Sequence, residues 1–228
     1  MDTFPVKIIA RIENDFPEKF GIPRQSGLTN SMVSRIVFEP EFRSDDALRG
    51  IEGFSHLWLI WQFSQAIRED WLPTVRPPRL GGNTRLGVFA TRSPFRPNPL
   101  GLSSVRLLGT EKTEKGTVLL VAGADLMNGT PIFDIKPYIP YCDCHEEATG
   151  GFTDTAGDFL LQVDFPEKLL TKLPPEKQAG LLEVLSHDPR PSYQNDPERV
   201  YGLCFGMWDI HFTVKENTLH VQEVTEKR

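Results

Sequence analysis

Apolar positions in the first half of the chain recur at a spacing of two. Residues 4–12 alternate around Val6, Ile8 and Ala10, residues 32–38 carry Val33, Ile36, Val37 and Phe38, and residues 118–124 form another apolar run. That period sets one face of a strand in a core and the other in water, so each segment is predicted to be a strand. Segment 55–63 differs, with Leu57, Leu59, Trp61 and Phe63 on one side and His56, Trp58 and Ile60 on the other. A strand apolar on both faces must be covered twice, which a small barrel packed against a helix or a second subunit achieves. Trp58 and Trp61 therefore read as core or subunit interface, and His56 as a satisfied core histidine. The helical signal in this half is a short turn over residues 47–49, capped by Ser44 or Asp45 and stopped by Gly50.

Beyond a polar, glycine-ended stretch at 142–157, which reads as a linker, the pattern changes. A strand is predicted over 159–165, helical spacing runs through Leu169, Leu170 and Leu173, and a proline-initiated helix runs from Pro174 through Leu181, Leu182 and Leu185. After the proline-broken Asp188-Pro189-Arg190-Pro191, residues 201–214 and 218–224 predict a hairpin turning at Glu216-Asn217. The predicted fold class is mainly β: a small single-sheet β-barrel N-terminal domain over residues 1–145, with a smaller α+β C-terminal domain over 146–228.

Composition agrees with a folded chain. At 228 residues and 39% hydrophobic, it can bury roughly 70% of its unfolded surface. No run approaches the ~18 consecutive apolar residues of a membrane helix. Asp2, Lys7, Arg11, Glu13 and Asp15 interrupt the start, so a cytoplasmic protein with no targeting peptide and no membrane partner is expected. Three cysteines are too few for a disulfide framework and fit a reducing compartment. Cys142-x-Cys144-His145, even with Cys204 or His211, offers one ligand pair where structural zinc uses paired spacings, so no metal is expected.

Charge narrows the chemistry. The chain carries a net −6, yet residues 71–110 contain no Asp or Glu and hold Arg76, Arg79, Arg85, Arg92, Arg96 and Arg106 without one Lys. A basic surface on an acidic body suits a phosphate- or carboxylate-bearing ligand. The planar guanidinium fork favours bidentate recognition over plain neutralisation. The pattern Arg-Pro-x-x-Leu-Gly occurs at Arg76 and again at Arg96, and its prolines hold each arginine on a stiff backbone. Arg92 and Arg96 are thus site candidates, whereas Arg85 and Arg106 read equally well as a surface network. Gly81-Gly82 fits either a tight turn or a close approach to phosphate. Glycine-rich dinucleotide and phosphate loops, the Gly-x-Ser-x-Gly elbow and His-Glu-x-x-His are all missing, so a Rossmann cofactor domain is not expected.

Two long motifs remain. Residues 87–103 run strand, proline-stiffened loop, strand. Residues 125–138 offer Asp125 and Asn128 from a loop, then Asp134 and Lys136 on one face of a strand. By residue chemistry alone they line a cleft for an anionic or nucleotide-like ligand.

Gly87 to Ser103, with Pro77-Pro78-Arg79-Leu80-Gly81-Gly82 before it and Asp134-Ile135-Lys136-Pro137-Tyr138 after it, resembles the TsaA-like family, whose bacterial members are TrmO-type tRNA methyltransferases. The likeness extends to Lys19-Phe20-x-x-Pro23-Arg24-Gln25 and to Asp188-Pro189-Arg190-Pro191-Ser192-Tyr193. It implies a homodimeric β-barrel that uses S-adenosylmethionine to methylate the exocyclic N6 amine of threonylcarbamoyl-adenosine at tRNA position 37. By that resemblance the cofactor is held by Arg24, Gln25, Ser64, Gln65, Arg92, Leu102, Gly123, Asp125 and Leu126, while Arg76, Arg79 and Arg96 face the tRNA. Relatives more often carry Asp or His where Ser64 stands, and Asp where Asn128 stands.

Methyl transfer from a sulfonium is an in-line displacement, in which the protein mainly positions two ligands. Asp134 or Tyr138 is the candidate to relieve the acceptor nitrogen of its proton, and Lys136 or a loop arginine to hold the threonyl carboxylate. Asp134 could instead simply pair with Lys136. Two other readings fit the same residues: a non-catalytic nucleotide- or RNA-binding module, and a methyltransferase acting on a small metabolite.

Overall fold

The structure is a computed structural model that describes residues 2–80, 83–154, 160–191, 194 and 196–227, with only the backbone of Arg79. Gly81-Gly82, Ser192, Tyr193 and the start of the strand expected at 159–165 lie outside these residues. The chain is mainly β. In order it forms β1 (Ala10–Glu13), β2 (Val33–Phe38), β3 (His56–Gln62), β4 (Thr74–Val75), β5 (Leu86–Gly87), β6 (Leu100–Thr113), β7 (Gly116–Ala122), β8 (Pro131–Pro137), α1 (Pro140–Asp143), β9 (Gln162–Asp164), α2 (Glu167–Leu170), α3 (Pro175–Ser186), β10 (Tyr201–Phe205), β11 (Trp208–Lys215) and β12 (Thr218–Glu226). The turn expected at 47–49 is a 3-10 turn over Asp45–Leu48.

Six strands pair in the order β1-β2-β7-β6-β3-β8, and β8 pairs back onto β1, closing the sheet. Ile12, Ile36, Leu57, Leu59, Val105, Leu119, Val121 and Ile132 fill the interior. Closure removes the sheet's edges, and alternation sends every second residue inward. On β3 the inward set is Leu57, Leu59 and Trp61. Gly101, opposite Trp61 on β6, has no alternative: a Cβ there would lie 2.2 Å from the indole ring.

The outer face of β3 is half covered. Trp58 Nε1 donates to Asp143 Oδ2 of α1 at 2.9 Å, and the Trp58 and Tyr138 rings lie 5.5 Å apart. The four-residue α1 covers the Trp58 end of that face, one of the two covers, a helix or a second subunit, that the doubly apolar pattern allowed. His56 is not a core residue: it is half exposed on this outer face, its ring 3.0 Å from Ser55 Oγ.

A second sheet, in the order β10-β11-β12-β9, packs on α3. Its core takes Leu181, Leu185, Leu203, Phe205, Ile210 and Phe212, together with Phe16 and Met32 from the barrel's own half of the chain. Two strand expectations change. The run 4–12 yields a strand only from Ala10, because Pro5 has no N–H for a ladder and Phe4 stands 92% exposed. Residues 201–214 are two strands, folded at Gly206-Met207, while the turn at Glu216-Asn217 falls where expected.

Candidate active site

A polar cluster, buried at Ser103 and opening to the surface through Asp125, sits where β6 and the loop after β7 meet. Ser103, 1% exposed, points inward from β6 and donates to Asp125 Oδ1 at 2.5 Å, while Trp61 Nε1 donates to Ser103 Oγ at 2.9 Å. A hydroxyl carries one proton, so its donation to Asp125 fixes the direction of the whole chain. Burial pushes the Asp125 carboxyl above its ordinary range. The Ser103 hydroxyl, the Asp125 and Ser26 backbone amides and the charge of Arg92 pull the other way.

Arg92 and Gln25 complete the cluster. Arg92 Nη1 donates to Gln25 Oε1 at 2.5 Å, and Gln25 Nε2 donates to the Arg24 carbonyl at 2.6 Å. Gly27 N–H donates to the Gly123 carbonyl at 2.8 Å, binding the two loops together. Gly123 has φ +80°, and a Cβ on it would lie 3.2 Å from Gly27 N and Cα, so glycine is required twice over. Leu126 is fully buried beside it. Its carbonyl accepts from Asn14 Nδ2 at 2.8 Å, and Asn128 Oδ1 accepts from Asn14 N–H at 3.0 Å. Asn128 therefore fastens backbone, a task an Asp side chain could also perform.

Arg24 points elsewhere. Its Nη2 donates to the carbonyls of Asp188 and Arg190, at 3.2 and 2.9 Å, and Arg190 in turn forks onto Asp188 through two 2.9 Å bonds. The proline-broken segment thus anchors the loop that carries Gln25. Ser64 and Gln65 are exposed at the end of β3, and Lys19 Nζ donates to the Gln65 carbonyl at 3.2 Å.

Leu102, Asp134, Lys136 and Tyr138 belong to a different face. Ile60 on β3 pairs with Leu102 on one side and Asp134 on the other, so these three form one row across the barrel's outer surface. Leu102 is 58% exposed and points away from the Ser103 side of its strand. Lys136 Nζ pairs with Asp134 Oδ2 at 2.8 Å, which raises the lysine's pKa and keeps it charged. Tyr138 is pushed up by desolvation first, then by Cys144 and Asp143, so its phenol stays protonated at neutral pH.

The basic loops are only partly drawn into this arrangement. Arg96 Nη1 donates to the Thr91 carbonyl at 3.1 Å, stapling its own turn, whereas Arg76 and Arg85 make no ion pair among the described residues. Cys142 and Cys144 are exposed and Cys204 is buried in the second sheet; no group of three or more His, Cys, Asp or Glu among the described residues could hold a metal. Nor is any described helix long and apolar enough to cross a membrane. An open basin of about 500 Å³ lies between Arg43, Asp45, Lys112 and Thr117, but Asp45 there already takes the Thr117 hydroxyl at 2.6 Å, and no candidate residue lines it.

Lys19 and Ser103 stand at the ends of quoted motifs and Trp61 reads from sequence as core or interface, but motif reading names none of the three as a site residue. Ser103 carried a usable signal, being a polar residue in inward register between Gly101 and Val105.

Fold and cluster together define a barrel protein that brings a half-buried carboxylate, Asp125, and an exposed arginine, Arg92, to one site, with no dinucleotide-binding sheet among the described residues. Residues 11–144 match the model of the tRNA-methyltransferase O N-terminal domain, and residues 159–227 that of the TrmO C-terminal domain. The tRNA (adenine(37)-N6)-methyltransferase of Escherichia coli K12 is 40% identical over 221 residues, covering 94% of this chain and 93% of that protein. A putative S-adenosylmethionine-dependent methyltransferase of Pseudomonas aeruginosa PAO1 is 41% identical over 92% of both chains. A crystal structure of TrmO from Pseudomonas aeruginosa superposes with a TM-score of 0.79 at 33% identity, covering 98% of this chain and 99% of that one. The chain belongs to the tRNA-methyltransferase O family.

Proposed function

We propose that this chain is an S-adenosylmethionine-dependent tRNA methyltransferase that methylates N6 of adenosine 37, with threonylcarbamoyl-adenosine as the acceptor. The observation that carries the reading is the meeting of Asp125, Arg92 and Gln25 in a family member whose relatives bear the name of that reaction. The donor set fits the cofactor's chemistry: a half-buried carboxylate suits hydroxyl or ammonium donors, and a guanidinium suits a carboxylate. Arg92, Gln25, Gly123, Asp125 and Leu126 would hold it, with Arg24 tying their loop to the C-terminal segment. When bound, S-adenosylmethionine supplies a methyl group on a sulfonium whose leaving group departs neutral. No metal enters.

Leu102, Asp134, Lys136 and Tyr138 stand on the outer face, so in this reading they serve a second copy. A homodimer seated on the exposed row around Ile60 supplies them to the partner's pocket, and Leu102 there gives an apolar seal. With Tyr138 held protonated, Asp134 is the group that takes the acceptor's proton, and Lys136 beside it holds the threonyl carboxylate. Arg76, Arg79 and Arg96 receive phosphates. Residues 1–145 and 146–228 act as barrel and C-terminal domain of a cytoplasmic enzyme. Transfer of labelled methyl groups to tRNA, with and without its threonylcarbamoyl group, tests the reading: label should enter only the former, and label in neither would refute it.

A further inference from the structure

The geometry points to Trp71 and Phe89 as a stacking platform for unpaired bases of the RNA acceptor's anticodon loop, an inference that rests on the function proposed above. Both rings are open, at 48% and 73% exposure, and their centroids lie 6.0 Å apart. The backbone fixes them: β4 pairs with β5 through Thr74 and Gly87, and Val88 N–H donates to the Pro73 carbonyl at 2.9 Å. The backbone beside the rings then has less entropy left to lose on binding. A further exposed ring, Phe95, carries the Arg68 guanidinium 3.9 Å above its centroid, an arrangement that also offers a flat cation to a base.

Charge selects the occupant. Residues 71–110 contain no acid, Glu69 and Asp70 lying just before Trp71, and Arg76 and Arg85, which stand between Trp71 and Phe89 in sequence, form no ion pair among the described residues. A second copy docked through this patch by a two-fold axis would set arginine against arginine, and an apolar peptide would leave those charges unmatched. Single-stranded RNA supplies both complements, π-faces for the rings and phosphates for the guanidiniums. The position is also right. Phe89 precedes Arg92 by three residues, and Arg92 bonds Gln25 in the candidate cofactor cluster. A base drawn out of its stack toward that cluster leaves neighbours that need new partners.

The test uses the full chain and a fluorescently labelled anticodon stem-loop RNA. Trp71→Ala and Phe89→Leu should each weaken RNA binding about tenfold, while the calorimetric heat with S-adenosylmethionine and the sedimentation mass stay at wild-type values. Trp71→Phe, which keeps a ring, should restore most of the affinity. Undiminished RNA binding in both ring variants, or a change in their oligomeric mass, overturns the platform. Phe89→Leu keeps the apolar volume, so it serves even where the alanine variant fails to fold. If the wild-type chain neither binds the methyl donor nor methylates tRNA, the functional reading itself has failed. If it does both and the ring variants bind RNA normally, only the platform falls.

Discussion

Ser103 donates its single hydroxyl proton to Asp125 Oδ1 across 2.5 Å, inside a barrel whose other fully buried residues on the same strand are Gly101 and Val105. Trp61, held over Gly101, fills the remaining side of that hydroxyl. Packing and polarity are therefore coupled: the indole that fills the core also sets the direction in which Ser103 points, and Ser103 holds the carboxylate proposed to meet the cofactor.

The raised pKa of Asp125 has a stability consequence. The folded protein holds this proton more tightly than the unfolded chain, so the group's stabilising contribution is complete below the ordinary carboxylate pKa and is lost as pH rises through the raised value. Asp125→Asn should therefore raise Tm at neutral pH, with the difference vanishing in acid, while weakening S-adenosylmethionine binding. Thermal melts across pH and calorimetry check both halves. A lower Tm at neutral pH would contradict the burial argument.

Gly123→Ala should destabilise the chain by about 1–3 kcal/mol through its positive φ alone, and the 3.2 Å approach to Gly27 adds to that. Denaturant titration reads the loss. Because the same contact spans the loops bearing Gln25 and Asp125, cofactor binding should fall with it.

Leu102→Asp tests the outer-face assignment. It places a carboxylate in the row with Ile60 and Asp134 without touching the interior. The expected result is a monomer by sedimentation, an unchanged thermal transition of the barrel and loss of methyl transfer. A fully active dimer would remove Leu102 from the interface.

Asp143 ties α1 to the barrel, and the Ile139 N–H and then the Trp58 indole hold its pKa below the usual carboxylate range. The stability from this lowered pKa is present above the ordinary value and lost as pH falls through the lowered one. Asp143→Ala should give at neutral pH the red-shifted Trp58 emission that the wild-type chain shows only in acid, with Trp58→Phe as the reference.

Much of this architecture was legible in local pattern. The doubly apolar run at 55–63 called for cover on both faces, and at Trp58 the outer cover is α1, whose last two residues, Cys142 and Asp143, read from sequence as the start of a linker. The barrel's closing pair, β8 on β1, joins strands far apart in the chain, and no local period encodes that choice. The hairpin at 201–214 was read as one strand because Leu203, Phe205, Ile210 and Phe212 are buried on both sides of a two-residue turn. Motif likeness named Gly123, Gln25 and Arg92 together, but the bond from Arg24 to the Asp188 and Arg190 carbonyls crosses the whole chain and leaves no mark in sequence. Ser103 was readable in principle, because a lone hydroxyl in inward register needs a buried partner.

Nucleoside mass spectrometry of tRNA incubated with the purified chain and S-adenosylmethionine tests the central claim most directly. The account predicts a gain of one methyl group confined to the threonylcarbamoylated adenosine; an unaltered nucleoside profile, or a methyl group on any other base, would contradict it.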